Sequence, residues 1–280
     1  MGQILILIQP PILPKSYFFA RINSNASVLK SNLYIYAMKI ALLGYGKMGK
    51  IIEETAISRG HSIVLRVNSS NSSTFSDSEL QQADVAIEFT RPDAVLANLN
   101  RCLHAKVPVV VGTTGWYDNL PGIMESCAQH AGTIFHASNF SIGVNLFFRL
   151  NEKLAELMQP FPEFTPSLEE IHHIHKLDSP SGTGITLANG LISKLDRVKE
   201  WKLYHDEQPK HTARTELPII SKRIGEVPGT HSITYTSPID QITITHEAFN
   251  RKGFALGAVI AAEWVHKRKG VFTMSDMLDA

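Results

Sequence analysis

The sequence predicts an α/β protein: a Rossmann-type nucleotide domain built on a parallel sheet, followed by an α+β domain with a mixed or antiparallel sheet. Two observations carry this. From Met38 onward short apolar runs alternate with helical patterns, as parallel strands joined by right-handed crossovers require. After Asn139 the alternation gives way to strands in succession, which suit hairpins better than crossovers.

Taken in order, residues 39–43 form an apolar run that ends on Gly44-Tyr45-Gly46-Lys47-Met48-Gly49 and passes into a helical pattern through Ser58. Strands follow at 61–67 and 84–89, a helix at 92–105, a strand at 107–111, a helix within 117–130 and a strand near 133–136. The link 68–83 is rich in Ser and Asn and too short and polar for a packed crossover helix, so it reads as a loop with one helical turn. Beyond it come a helix at 144–158, a strand ending near Ile174, a helix at 184–195 and strand-like runs at 216–227, 231–236 and 241–246. Pro228-Gly229 reads as a hairpin-like link. A helical stretch at 253–269 and a short one at 275–278 complete the pattern, and no internal repeat interrupts it.

At 280 residues, 44% hydrophobic and 19% charged, the chain is long enough for one large core or two modest ones. Its net charge of +1 gives no electrostatic reason for a nucleic-acid or membrane partner. The longest apolar run at the start, residues 4–8, is stopped by Pro10-Pro11 and falls far short of the roughly 18 residues of a membrane span. Cys102 and Cys127 stand in helical stretches without C-x-x-C or zinc spacing, which points to a reducing compartment, the cytoplasm. Residues 1–37 lack Asp and Glu and are rich in Ser and Asn. That composition suits an organellar transit peptide, but prolines break any amphipathic helix at its start. The expectation is therefore a disordered or mis-started extension, with Met38 the effective beginning.

Gly44-x-Gly46-x-x-Gly49 follows a strand and opens a helix, the setting in which such glycines admit a dinucleotide pyrophosphate; a purely structural turn is the competing reading. The acidic residue that closes on a ribose about twenty positions later is missing, and Arg66-Val67-Asn68-Ser69-Ser70 stands there. With no carboxylate to repel a 2′-phosphate, NADPH should be accepted at least as well as NADH, unless Arg66 merely faces solvent. Gly112-Thr113-Thr114-Gly115 and Ala137-Ser138-Asn139-Phe140 follow later strands at the same carboxyl edge, where ligands of open α/β sheets bind.

The run His172-His173-Ile174-His175-Lys176 places three imidazoles and an ammonium within five residues, shortly before Ser181-Gly182-Thr183. An extended chain would put His172, Ile174 and Lys176 on one face and His173 and His175 on the other. Metal binding, surface chance and acid-base chemistry compete as explanations. Opposed faces and the lack of H-E-x-x-H spacing weaken the metal reading, and no metal is expected. Imidazole titrates near neutrality, and a Ser-Gly-Thr helix start beside a lysine makes an anion site, which favours acid-base use. His175 has no assigned role, and Asp178 is placed to orient Lys176.

Together the glycine fingerprint, Glu88-Phe89-Thr90-Arg91-Pro92, Gly112-Thr113-Thr114-Gly115, the segment from Asn139 to Asn145 and the block from His172 to Gly184 resemble the dihydrodipicolinate reductase family, now called 4-hydroxy-tetrahydrodipicolinate reductases. The resemblance runs in order from Met38 to near Leu278, and H-H-x-x-K-x-D-x-P-S-G-T is its most specific part. His246-Glu247-Ala248, Arg251 and Phe254-Ala255-x-Gly257-Ala258 match its closing segment.

The resemblance implies NAD(P)H-dependent reduction of 4-hydroxy-tetrahydrodipicolinate, a small cyclic dicarboxylate, to tetrahydrodipicolinate in the diaminopimelate route to lysine. His172 would be the proton donor or acceptor and Lys176 a charge stabiliser and second proton donor. His173, Ser181, Gly182 and Thr183 would bind substrate. Gly44, Tyr45, Gly46, Lys47, Met48, Gly49, Asn68, Gly112, Thr113, Thr114, Ala137, Ser138, Asn139 and Phe140 would contact NADPH or NADH. It also implies that residues 251–280 return to a nucleotide domain at 38–139, that 140–250 form a substrate-binding and oligomerisation domain, and that the assembly is a homotetramer. Where the family has an acidic residue, often followed by a basic one, this chain has Asn68 and Ser69, which leaves cofactor preference open. Residues 1–37 have no family counterpart. Another two-domain NAD(P)-dependent amino-acid or hydroxy-acid dehydrogenase, or a nucleotide sensor without turnover, are the alternatives to weigh.

Overall fold

A computed structural model describes residues 37–205, 209 and 213–280. The expected extension, residues 1–37, lies outside the described residues apart from Ala37. The first part of the chain runs β1 (Lys39–Leu43), α1 (Lys47–Ser58), β2 (Ser62–Val67), α2 (Asp77–Leu80), β3 (Val85–Glu88), α3 (Val95–Ala105), β4 (Val109–Val111), α4 (Leu120–Gln129) and β5 (Thr133–His136). It continues through α5 (Ile142–Met158), β6 (Thr165–His172), α6 (Gly182–Ile192), β7 (Glu200–His205), β8 (Glu216–Arg223), β9 (Thr230–Thr236) and β10 (Gln241–Glu247), and ends with α7 (Lys252–Val265), β11 (Gly270–Phe272) and α8 (Met274–Leu278).

The first sheet has the order β11-β5-β4-β3-β1-β2, with every pair parallel. The chain leaves β1 toward β2 and then crosses back to β3, so the strand order reverses beside β1. A crevice opens there at the carboxyl ends of the strands. One apolar layer, including Leu43, Ala86, Leu99, Cys102 and Val109, lies under α3 and α4. The other, including Ile40, Ile52, Phe135, Ala258 and Val259, lies under α1 and α7. Cys102 and Cys127 are buried free thiols, and no helix among the described residues is long and apolar enough to cross a membrane.

The second sheet has the order β10-β9-β6-β8-β7 and is mixed: β6 runs parallel to β8 and antiparallel to β9. Alternate residues of β6 (Pro166, Leu168, Glu170 and His172) point inward toward α5 and α6, and Phe147, Leu187 and Leu191 complete that core. The period of two therefore buries Glu170 and His172 by the same rule that buries Leu168.

Several elements differ from the sequence reading. The histidine strand stops at His172 rather than near Ile174, because Ile174 N–H bonds the carbonyl of Gly225 and Lys176 N–H bonds that of His173, closing a turn. His172 and Lys176 therefore do not share a strand face. Pro228-Gly229 joins β8 to β9, which are not neighbours; the true hairpin is β9–β10, closed around Ser237 to Asp240. Two strands escaped notice. In β7 charged and polar residues alternate with Trp201 and Leu203 at a sheet edge, and β11 has only three residues, directly after a stretch that reads as helix. That helix ends at Val265, with Lys267 in the left-handed region at φ +67°.

Candidate active site

The cofactor crevice is shaped by glycines that no other residue could replace. A Cβ on Gly44, which has φ +104°, would lie 2.0 Å from the Phe89 carbonyl oxygen, and one on Gly112 would enter the Phe89 ring. Gly46 caps α1 with no side-chain hydrogen bond, so the first N–H groups of the helix remain open to an anion. Across the crevice, Thr90 N–H donates to Thr113 Oγ1 at 2.7 Å, and Trp116 Nε1 donates to the Thr113 carbonyl at 2.8 Å. Beneath them Glu88 is fully buried and accepts from Asn98 at 3.1 Å and from the Thr90 hydroxyl; burial holds its carboxyl above the ordinary value. Gly46, Lys47, Met48, Gly112, Thr113 and Thr114 line one concave surface. These features fit a nicotinamide dinucleotide.

At the ribose end the expected residues are partly committed elsewhere. Asn68 Oδ1 accepts from Ser70 N–H at 2.8 Å and Ser70 Oγ at 2.6 Å, closing its own turn. Arg66 is neither free nor simply in solvent: it pairs with Glu53 of α1, which also accepts from the Tyr45 hydroxyl. The carboxylate missing from the end of β2 is thus supplied nearby by α1. Of the segment 137–140, Ser138 and Asn139 face the cavity described next, whereas the Phe140 side chain is packed against Phe89 and Phe135.

The second half of the site begins where β6 ends. A cavity of about 470 Å³ is lined by Thr114, Ser138 and Asn139 from the first sheet's carboxyl edge. The same cavity is lined by His172, His173, Lys176, Ser181, Gly182 and Thr183 from the second. The turn after His172 brings Lys176 there, although strand geometry would not have. Its Nζ lies 2.7 Å from Asp178 Oδ1, and this pairing opposes burial in holding the Asp178 carboxyl below its usual range. His175 points away, exposed, with Nε2 3.4 Å from Glu226. Ser181 caps α6 and accepts from Gly184 N–H at 3.0 Å, leaving the first turn of the helix facing the cavity.

His172 is buried, and its Nδ1 has no hydrogen-bond partner among the described residues. Burial, then the neighbouring His231, lower its pKa to about 4; Glu170 opposes them, while Lys176 and Arg223 add to the lowering. Glu170, His231, Ser221 and Arg223 were not among the residues singled out by sequence, although a Glu at an inward position of a strand was a readable signal. Glu170, His172 and His231 hold donor atoms within 4.8 Å of one another. A metal fits them poorly: the carboxylate already accepts from Ser181 and Ser221, and the Arg223 guanidinium stands 3.7 Å away.

A dinucleotide crevice meeting an imidazole-ammonium cavity defines a nucleotide-dependent oxidoreductase. Comparisons with known proteins carry this further. The family profile described as dihydrodipicolinate reductase, N-terminus, matches residues 38–140, and that described as its C-terminus matches 143–278. A protein of Christiangramia forsetii named 4-hydroxy-tetrahydrodipicolinate reductase is 48% identical over 242 residues, covering 86% of this chain and 98% of its own. One of the same name from Neisseria meningitidis serogroup B is 31% identical over 267 residues, covering 86% and 97%. Among solved structures, a dipicolinate-bound dihydrodipicolinate reductase from Paenisporosarcina sp. TG-14 shares the fold, with a TM-score of 0.67 at 23% identity, over 85% of this chain and 98% of that one. The chain belongs to the dihydrodipicolinate reductase family.

Proposed function

We propose that this chain reduces 4-hydroxy-tetrahydrodipicolinate to tetrahydrodipicolinate with NADPH or NADH, in the diaminopimelate route to lysine. The observation that carries the reading is the shared cavity, in which Thr114 and Ser138 of the nucleotide side face His172, Lys176 and Thr183. When bound, the nicotinamide supplies a hydride. The residues of the chain do the rest. The open N–H groups at the start of α6, with the Thr183 hydroxyl, take a substrate carboxylate. Lys176 exchanges Asp178 for the substrate's negative charge and stabilises charge that develops on the ring. His173, half-buried on the same wall, orients the ring. Loss of the 4-hydroxyl as water leaves a conjugated ring to accept that hydride, and His172 supplies the proton that captures the reduced product. A dianion in the cavity favours the imidazolium, which gives His172 the proton it lacks when the cavity is empty.

The same reading takes residues 38–139 with 251–280 as the nucleotide domain and 140–250 as the substrate-binding and oligomerising domain of a cytoplasmic homotetramer. Pairing of β11 with β5 supports the return of the chain. The test is to mix purified protein, NADPH and the product of dihydrodipicolinate synthase and to follow loss of nicotinamide absorbance. Turnover with an amino or keto acid instead would select another dehydrogenase, and binding without turnover a sensor. His172→Ala should lower kcat about 10²- to 10⁴-fold, as loss of a general acid does; a kcat within twofold of the parent would remove His172 from the chemistry.

A further inference from the structure

We propose that Glu170 is a positioning residue of the proton-transfer centre: its buried carboxylate ties the histidine strand to the start of α6 and keeps a permanent counter-charge behind His172. The inference rests on the function proposed above and adds a residue that does not touch substrate.

The register of the sheet builds the arrangement. In the row of β6 that contains Glu170, the neighbour on β8 is Ser221 and the neighbour on β9 is His231. Two residues further along β6, His172 stands beside Arg223. Glu170 is fully buried, and its oxygens are satisfied from three directions. Ser181 N–H donates to both oxygens at 3.0 Å, Ser181 Oγ donates to Oε2 at 2.5 Å, and Ser221 Oγ donates to Oε1 at 2.8 Å. His231 Nε2 lies 3.7 Å from Oε2, and Arg223 Nη1 lies 3.7 Å from Oε1. Space is equally committed: a Cβ on Gly184 would lie 2.6 Å from Oε2, so the first turn of α6 rests directly on the carboxylate.

Packing alone does not call for this group. A buried charge is costly unless fully bonded, and the chain supplies a backbone amide and two hydroxyls to satisfy it. Two consequences follow for the cavity. The same serine that anchors to Glu170 caps α6, so the carboxylate fixes the helix start where a substrate anion binds. Glu170 Oε1 also lies 4.0 Å from His172 Nδ1, the orphaned nitrogen, so its charge favours a proton on that ring. His231, Lys176 and Arg223 oppose it. Burial raises the Glu170 carboxyl, but the contact with His231 and the bonds from Ser181 and Ser221 outweigh it and bring the pKa down to about 2, so the charge persists at working pH.

Three variants test this. Glu170→Gln keeps shape and most hydrogen bonds but removes the charge, Glu170→Asp keeps the charge, and Ser221→Ala removes one donor while leaving the carboxylate. Glu170→Gln should lower kcat about 10- to 100-fold, as loss of the outer partner of a functional histidine does. It should leave the KM for NADPH within about twofold. The alkaline limb of the kcat profile should move to lower pH, and Glu170→Asp should restore it in part. A packing role would change thermal stability but not that limb. If Glu170→Gln fails to fold, Glu170→Asp, whose shorter side chain draws the charge back from the ring, should show the same shift in smaller measure, whereas Ser221→Ala keeps the charge and should leave the limb in place. A limb that stays put in folded Glu170→Gln or Glu170→Asp overturns the proposal. The titration of the His172 ring, followed by NMR in the free protein and with pyridine-2,6-dicarboxylate, reads the same effect without turnover. If the wild-type chain reduces nothing, the function fails; if Glu170→Gln then leaves the His172 titration unchanged, the role of Glu170 fails separately.

Discussion

Binding of a dicarboxylate should make this protein take up a proton, and the size of the effect can be worked out from the site. In the free protein His172 has a pKa of about 4, so at pH 6 only about 1% of the ring is protonated. A carboxylate seated about 4 Å from the ring interacts with its charged form by about 4 kcal/mol at an effective dielectric near 20, equivalent to about 3 pKa units. That would bring His172 to about 7 in the complex, about 90% protonated at pH 6, and binding would take up about 0.9 proton. Affinity follows with a definite sign. Because the bound form holds more protons, binding weakens as pH rises, by about tenfold between pH 6 and pH 8. Isothermal titration calorimetry with pyridine-2,6-dicarboxylate, in buffers of different ionisation enthalpy, measures the uptake directly. His172→Gln should abolish both the uptake and the pH dependence. Uptake near zero in the parent protein, or an uptake that survives in His172→Gln, would refute the placement of His172 against the ligand charge.

Gly257→Ala should unsettle the cofactor loop from outside the crevice, since its Cβ would lie 1.6 Å from the Phe140 carbonyl oxygen. A lower melting temperature, with a loss of about 1–3 kcal/mol or more, and a raised KM for NADPH are expected. Glu53→Gln releases the Arg66 guanidinium toward a 2′-phosphate and should improve KM for NADPH relative to NADH by about two- to fivefold, the scale of a half-exposed ion pair; an unchanged ratio would count against Arg66 as a selectivity residue. Acid should destabilise the fold in two stages. Unfolded histidine binds its proton near 6.5 and folded His172 near about 4, so the unfolded state binds more protons across that interval and stability falls with pH there. Glu170 adds a second loss between the ordinary carboxyl range and about 2. Melting temperature against pH checks this, and His172→Gln should flatten the upper stage only.

Much of the fold was legible because its signals are local. Residues 39–49 announce a strand, a tight turn and a helix, and β1 and β5 have the bounds their apolar runs suggest. The helical turn expected in the link after β2 is α2, closed by a capping box at Ser76 and Glu79. What stayed hidden depends on residues distant in sequence. β11 becomes a strand only because β5 offers it an edge, and the turn that carries Lys176 is fixed by Gly225, some fifty positions away. In the site, His172 and Ser181 could be singled out by chemical type, yet their partner Glu170 acquires meaning only from the register that sets Ser221 and His231 on either side of it. Likewise the carboxylate near Arg66 comes from α1, not from the strand end where a sequence motif would seek it.

The position of β11 governs the order in which the protein can be completed during synthesis. The first sheet opens at Lys39 but gains its outer strand only at Gly270–Phe272, after all of the second sheet has been made. Until then the outer edge of β5 presents unpaired backbone groups, and the apolar face that α7 covers, around Ile40 and Phe135, has no lid. The five-strand sheet, by contrast, is contiguous in the chain and can close before its host does. A ribosome that stalls before Gly270 is made would therefore hold a finished five-strand sheet attached to an unfinished parallel one, with its sticky edge exposed.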